Sequence, residues 1–99
     1  MDQATKVRGL FVHPGQVDEV AARFPQIARY KVQITRREHK DEMTFLIELR
    51  GEDDQSDKLK EGIERSVRDV MKVRGEVKFV SKGTIPDGVN KIEDQRTWE

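Results

Sequence analysis

The sequence predicts an α+β fold, in which two helices cover one face of an antiparallel sheet. Apolar residues alternate with polar ones in several short stretches, which is the period of half-buried strands, and recur at helical spacing in two others. The resulting order, β-α-β-β-α-β, is that of the ferredoxin-like arrangement. With 99 residues, the chain has room for one domain, which we place over residues 1–99.

The first strand is predicted over residues 7–12, as two short extended pieces hinged at Gly9. Pro14 follows it, and a helix of about ten residues begins there. The helix closes before Pro25, because a proline disfavours helix at the residue before it. Its apolar positions share one face: Val17, Val20, Ala21 and Phe24.

A hairpin is predicted next. Residues 30–35 alternate between apolar and polar side chains, and residues 43–49 do so again. The charged run 36–42 between them is predicted to be the turn. One face of each strand is therefore buried and the other is wet.

The second helix is predicted to begin at Ser56 as N-cap, with Asp57 favourable to the helix dipole, and to end near Val73. One apolar stripe runs along it: Leu59, Ile63, Val67, Val70 and Met71. Val77 and Phe79 then alternate with Lys78 and Val80 as a last strand. Residues 84–99 read as a polar tail.

Composition excludes several classes of function. Charged residues make up 38% of the chain, but 19 basic side chains balance 19 acidic ones, so no net field attracts nucleic acid or an anionic membrane. The chain has no cysteine, no membrane-spanning apolar run and no signal-peptide pattern. We expect a cytoplasmic protein with neither nucleic acid nor membrane as partner.

Few side chains in the sequence indicate chemistry. His13 and His39 are far apart and lack ligand spacing, so no metal site is predicted. Tyr30, Phe45 and Phe79 alternate on faces that otherwise read as core, which argues against RNA stacking on an open sheet. Charged pairs in the loops lack any glycine-rich phosphate cradle: Asp53 with Asp54, and Arg36 with Arg37.

Lys91 is the candidate functional residue. It lies in the polar segment 86–91, which proline and glycine punctuate. Its ammonium is either solvated, as charges near a terminus commonly are, or presented to another surface. The residues alone leave both interpretations open.

Segment 2–20 carries a specific combination of an acid, a lysine, a glycine, a proline and a helix start. It resembles the opening of the small C-terminal domain of adenylate-forming acyl-CoA ligases, most closely phenylacetate-CoA ligases. The resemblance continues through both predicted hairpin strands and the long helix. In that family, a proline after the last strand is followed five residues later by a lysine, as Pro86 is by Lys91, although Asn90 replaces the usual glycine. The N-terminal elements are Asp2, Lys6, Gly9, Pro14, Val17 and Glu19.

The resemblance implies a two-step reaction, in which an aryl or alkyl acid is adenylated by ATP and the acyl group is then passed to coenzyme A. This chain would be the mobile C-terminal lid, with Lys91 catalytic in adenylation and Asp2 as the hinge. The loop of Lys6, Arg8 and Gly9 would serve the CoA step.

The partners implied are the N-terminal adenylation domain of the same polypeptide, a phenylacetate-like aryl acid and CoA. ATP, Mg²⁺ and CoA belong to the full-length enzyme, and the domain alone is expected to bind none of them and to be inactive. Met1 directly before the hinge-like Asp2 is expected of a fragment cut at a domain boundary. A homodimer of the full enzyme would form through its large domain.

The alternative is a stand-alone ferredoxin-like module that binds a regulatory effector or dimerises through its sheet. A third interpretation is a purely structural cap. Neither requires a lysine five residues after Pro86 or an opening with Asp2, Lys6 and Gly9.

Overall fold

The computed structural model describes residues 5–7, 9–51, 57–85 and 91–95. The predictions made for Asp2, Arg8, Ser56, Pro86 and Asn90 lie outside these residues. The elements run in the order β1 (Thr5–Val7), β2 (Leu10–Val12), α1 (Pro14–Ala22), β3 (Ile27–Arg37), β4 (Lys40–Leu49), α2 (Asp57–Met71), β5 (Glu76–Phe79) and β6 (Ile92–Asp94). The α+β class and both helices are confirmed.

The sheet differs from the antiparallel one that the sequence predicts. Its strand order is β5-β4-β3-β6. Strands β3 and β4 are antiparallel, but β5 lies parallel to β4, and β6 lies parallel to β3. The cause is the N-terminal strand, which pairs with itself as the β1–β2 hairpin instead of entering this sheet. The helical crossover through α2 therefore brings β5 directly beside β4, in the parallel sense such crossovers allow.

Both helices pack on one face of the sheet, as predicted. Val17 of α1 and Ile63 of α2 are completely buried, in one core with Val32 of β3 and Phe45 of β4. This core is what stabilises the fold, since a fully buried aliphatic or aromatic side chain contributes about 1.5–3 kcal/mol. Neither helix in the described part of the chain is long and apolar enough to cross a membrane.

The turn between β3 and β4 is shorter than the charged run that was predicted to form it. Arg37 pairs with Lys40, so only Glu38 and His39 connect the strands. Both have positive φ, at 52° and 67°. A two-residue loop with two positive φ values matches the right-handed twist of the flanking strands, so the strands continue through charged residues that stay at the surface.

The structure also contains a strand that the sequence did not predict. Within the segment interpreted as a polar tail, Ile92–Asp94 pair with β3, and Ile92 packs against the core. Ile85, at the start of the same segment, is only 3% exposed. The described parts of residues 84–99 therefore contribute to the packed domain.

Candidate functional site

Lys91 lies directly before β6, and its backbone is bound to the central strand β3. The Val32 N–H donates to the Lys91 carbonyl at 2.8 Å, and the Gln95 N–H donates to the Ile34 carbonyl at 2.7 Å. These two bonds flank the three-residue ladder between β3 and β6. The backbone of Lys91 is thus fixed by the sheet.

The side chain of Lys91 is also held. Its Nζ lies 4.2 Å from the centroid of the Tyr30 ring, within the range of a cation–π interaction. The Tyr30 hydroxyl donates to Asp18 Oδ1 of α1 at 2.5 Å. Burial, followed by the hydrogen bond and the charge of Asp18, raises the pKa of Tyr30 to about 12. The ring under the ammonium is therefore neutral at physiological pH and oriented by α1.

On the opposite face of β3, an ion pair ties β6 a second time. Lys31 pairs with Glu93, and the side-chain amide of Gln95 donates to Glu93 Oε2 at 2.7 Å. The hydrogen bond from Lys31, and then that from Gln95, holds the pKa of the Glu93 carboxyl below its usual value. Contacts on both faces of β3 therefore hold the strand that follows Lys91.

The segment that leads toward Lys91 has its own anchor, which sequence reasoning missed. Glu48 of β4 is 3% exposed, and its carboxylate accepts hydrogen bonds from the Gly83 N–H at 3.1 Å and the Ile85 N–H at 2.6 Å. Arg29 Nη1 donates to the Ile85 carbonyl at 3.0 Å. The one signal in the sequence is an acid between Ile47 and Leu49, at the end of an apolar strand.

The residues predicted for the CoA step lie at the other end of the domain's chain. Lys6 is on β1, opposite Phe11 of β2, and Gly9 forms the turn between them with a φ of +82°. No atom lies within 4 Å of where a Cβ of Gly9 would stand. Backbone conformation, rather than crowding within this domain, therefore requires the glycine.

The hairpin also exposes apolar surface. Leu10 is 43% exposed and Phe11 is 60% exposed. The hairpin contacts β4, whereas Lys91 lies against β3. The two groups of predicted residues thus lie on different elements, with Asp2 and Arg8 outside the described residues.

Within the described ranges, no cluster of three or more histidine and acidic side chains could hold a metal ion. His13 precedes α1, where its backbone N–H donates to Gln16 Oε1 at 2.9 Å. His39 lies in the β3–β4 turn. Both histidines therefore have positions that the local backbone explains.

Comparison with known proteins adds the family. Residues 9–96 match the AMP-binding enzyme C-terminal domain. The chain belongs to this family. It is a C-terminal domain of the adenylate-forming CoA ligase type, which confirms the family resemblance found in its sequence. No curated protein matches the chain at a significant level.

Solved structures agree with this membership. A domain of phenylacetate-coenzyme A ligase from Bacteroides vulgatus superposes with a TM-score of 0.84 at 26% identity, over 97% of this chain and 95% of that one. 2-Hydroxyisobutyryl-CoA ligase, in complex with 2-HIB-AMP and CoA in its thioesterification state, gives a TM-score of 0.81 at 21% identity over 96% of this chain. Its postadenylation state gives 0.73 at 19% identity over 92% of this chain. The chain spans 22% and 21% of those two ligase chains.

Proposed function

We propose that this chain acts as the mobile C-terminal domain of an ATP-dependent, AMP-forming ligase, which joins a phenylacetate-like aryl acid to CoA. The observation that carries the proposal is the likeness to the phenylacetate-coenzyme A ligase domain over 97% of the chain. The acid itself would be selected by the large N-terminal domain, which is the intramolecular partner. In this proposal, the domain alone is inactive and the whole enzyme is cytoplasmic.

In the adenylation pose, Lys91 enters the active site of the large domain. Its ammonium stabilises the negative charge that grows as the carboxylate oxygen attacks the α-phosphorus of ATP and pyrophosphate leaves. Support comes from the position of Lys91 directly before β6, where hydrogen bonding to β3 fixes its backbone. To act, the ammonium must leave the Tyr30 ring, which at exposed sites costs only about 0.5–1 kcal/mol.

In the thioester pose, the domain turns about Asp2 and brings the loop of Lys6, Arg8 and Gly9 toward CoA. Support comes from the hairpin, which projects Gly9 at an open turn beside the exposed Phe11. A backbone without Cβ at this turn allows close approach of the pantetheine arm. In this proposal, the full-length enzyme binds ATP, Mg²⁺ and CoA chiefly through its large domain. A homodimer would also form through the large domain.

The decisive experiment is Lys91→Ala in a polypeptide that contains both domains. Pyrophosphate exchange measures adenylation, and thioester formation from preformed acyl-adenylate measures the second step. We expect a loss of about 10²- to 10³-fold in adenylation, the cost of removing a donor that acts in the transition state, with the second step largely spared. Lys78→Ala, at an exposed lysine of β5, is the matched control. Unchanged adenylation together with collapse of the second step would contradict the role of Lys91.

The hinge is tested by Asp2→Pro, which fixes φ at the pivot. We expect one half-reaction to survive and the other to fail, because a single pose is trapped. Equal damage to both half-reactions would remove the hinge from the proposal.

The mass of the native product separates this proposal from a stand-alone regulatory module. A module has the 11.5 kDa of this chain, whereas a ligase is several times larger. Mass spectrometry of the protein isolated from its source distinguishes the two.

A further inference from the structure

Glu48 is a buried carboxylate that binds the chain leading toward Lys91. It is 3% exposed, and its two oxygens accept the N–H groups of Gly83 and Ile85. Burial of a carboxylate is costly unless hydrogen bonds satisfy it, and those to an ionised acceptor are roughly twice as strong as neutral ones. The domain therefore keeps a buried charge on β4, on the face of the strand opposite the core residues Ile47 and Leu49.

Ile85 is held from three directions. Glu48 accepts its N–H at 2.6 Å, Arg29 donates to its carbonyl at 3.0 Å, and its side chain is 3% exposed. Just before it, the Thr84 N–H donates to the Ser81 carbonyl at 3.1 Å, and Gly83 takes a φ of +88°. Residues 81–85 thus form a turn fixed by both backbone and side-chain contacts.

The two groups that hold Ile85 are neighbours across the central strand pair. Arg29 of β3 is directly opposite Glu48 of β4 in the ladder. Three residues further along β3, the Val32 N–H binds the carbonyl of Lys91. The same stretch of β3 therefore anchors the polypeptide on both sides of residues 86–90, once at Ile85 and once at Lys91.

We propose that Glu48, assisted by Arg29, is a positioning residue for Lys91: the two residues clamp the backbone of Ile85 and so fix the start of the segment that carries the lysine. The inference rests on the proposed adenylation role of Lys91. With Ile85 released, Lys91 loses the anchor that precedes it in the chain and keeps the contacts of its own backbone and of β6 with β3. Displacement of a reacting group by about 1 Å can cost roughly 10²-fold in rate.

The test is Glu48→Gln in the two-domain enzyme. Glutamine keeps the shape and one acceptor oxygen, but it turns an NH₂ group toward one of the two N–H donors and so breaks one arm of the clamp. We expect adenylation to fall by about 10-fold, while thioester formation from preformed acyl-adenylate keeps its wild-type rate. Glu42→Gln, in the same strand and outside the core, is the matched control and should leave both steps unchanged.

A double-mutant cycle shows whether Glu48 acts through the lysine. In the Lys91→Ala background, Glu48→Gln should cost nothing further in adenylation, since the group that it positions is gone. A further 10-fold loss in that background, or an equal loss in both half-reactions, would indicate a structural role and overturn the inference.

Arg29→Gln removes the other arm without placing a new group in the core, so it covers the case in which Glu48→Gln fails to fold. We expect a smaller loss, again confined to adenylation. If Lys91→Ala loses adenylation but Glu48→Gln and Arg29→Gln do not, the clamp is wrong and the proposed function stands. If Lys91→Ala keeps adenylation, the proposed role of Lys91 is wrong, and the clamp is overturned with it.

Discussion

The two regions that bear the predicted functional residues are built in different ways. The β1–β2 hairpin consists of two three-residue strands joined at Gly9, with Phe11 60% exposed at its surface. The segment around Lys91 is bound to β3 through its backbone, to Tyr30 through its ammonium, and to Lys31 through Glu93. The hairpin owes its form mainly to local backbone conformation, and the lysine segment owes its form to tertiary contacts.

This difference fits the two tasks proposed for the domain. A lysine that must reach one reacting oxygen gains from a fixed starting point, because rate depends steeply on its position. A hairpin that approaches a long, flexible arm needs an open turn and a surface that can meet another domain. Substitutions should therefore act on the hairpin through φ and on the lysine segment through contacts.

The largest effect expected on the stability of the chain is at Gly9. Gly9→Ala should lower the free energy of unfolding by about 1–2 kcal/mol, because a φ of +82° is unfavourable for a residue with Cβ. Gly15→Ala is the matched control: its Cβ also meets no atom within 4 Å, but Gly15 is in α1 and has no positive φ. There alanine should raise stability by roughly 0.5–1 kcal/mol. Urea unfolding of the chain measures both.

Changes of opposite sign in the free energy of unfolding for Gly9→Ala and Gly15→Ala would show that backbone conformation determines the form of the hairpin. Equal, small effects at Gly9 and Gly15 would show that the hairpin turn adopts another conformation in solution and would break the comparison. In the two-domain enzyme, Gly9→Ala should slow thioester formation more than adenylation.

The second prediction concerns the contact between Lys91 and Tyr30. Tyr30→Phe keeps the ring and loses the hydroxyl, whereas Tyr30→Leu keeps an apolar side chain and loses the ring. The free energy of unfolding in urea is measured in a double-mutant cycle with Lys91→Met. In this cycle, Tyr30→Leu should show a coupling energy of about 0.5–1 kcal/mol. Tyr30→Phe should show much less coupling, since its ring still faces the ammonium. Equal coupling for both variants would contradict a cation–π contact.

A smaller effect is expected in the titration of Tyr30, which is the chain's one tyrosine, so phenolate absorbance reports it alone. Its pKa is raised from 10.0 to about 12, first by burial and then by Asp18. The protonated form therefore stabilises the fold below pH 10, and this contribution is lost as pH rises through the folded-state pKa.

Asp18→Asn should move the midpoint part of the way back toward 10.0, because burial remains while the charge is removed. Glu19→Gln, at the adjacent acid that pairs with Arg23, should leave the midpoint unchanged. A midpoint that does not respond to Asp18→Asn would remove α1 from the support of the lysine site.

What the sequence predicted correctly depends on local signals. The apolar stripe from Leu59 to Met71 predicted α2, and the alternation in β3 and β4 predicted the hairpin, because periods of 3.6 and 2 are visible within one element. Gly9 was recognised as the break between two short extended pieces because a glycine interrupts the strand pattern there. Lys91 was selected by its spacing from Pro86, and its role stays a prediction.

What the sequence did not predict depends on pairing between distant segments. Strand β6 has three residues, too few to display a period, and it exists because β3 offers an open edge. Strand β5 lies beside β4 and parallel to it, in a sheet that β1 and β2 do not enter. Glu48 appeared to be an ordinary strand acid, since its partners at Gly83 and Ile85 are 35 and 37 residues away.

The smallest expected effect tests whether β6 is held from both faces of β3. The pKa of Glu93 is lowered in the folded chain by Lys31 and Gln95, so its charged form stabilises the fold above the ordinary pKa of a glutamate in the unfolded chain. This contribution should disappear as pH falls through the lower folded-state pKa. The Glu93 side chain is 35% exposed, so solvent and salt screen the pair and limit its contribution to about 0.2–1 kcal/mol.

Urea unfolding at different pH values tests this contribution. Wild type should be more stable than Glu93→Gln at pH 7, and the two should be equally stable in strong acid. The control Glu76→Gln in β5 should be as stable as wild type at pH 7. A constant gap between wild type and Glu93→Gln at every pH would mean that packing, rather than charge, fastens this face of β6, and the lysine segment would then depend on Tyr30 and the β3 backbone.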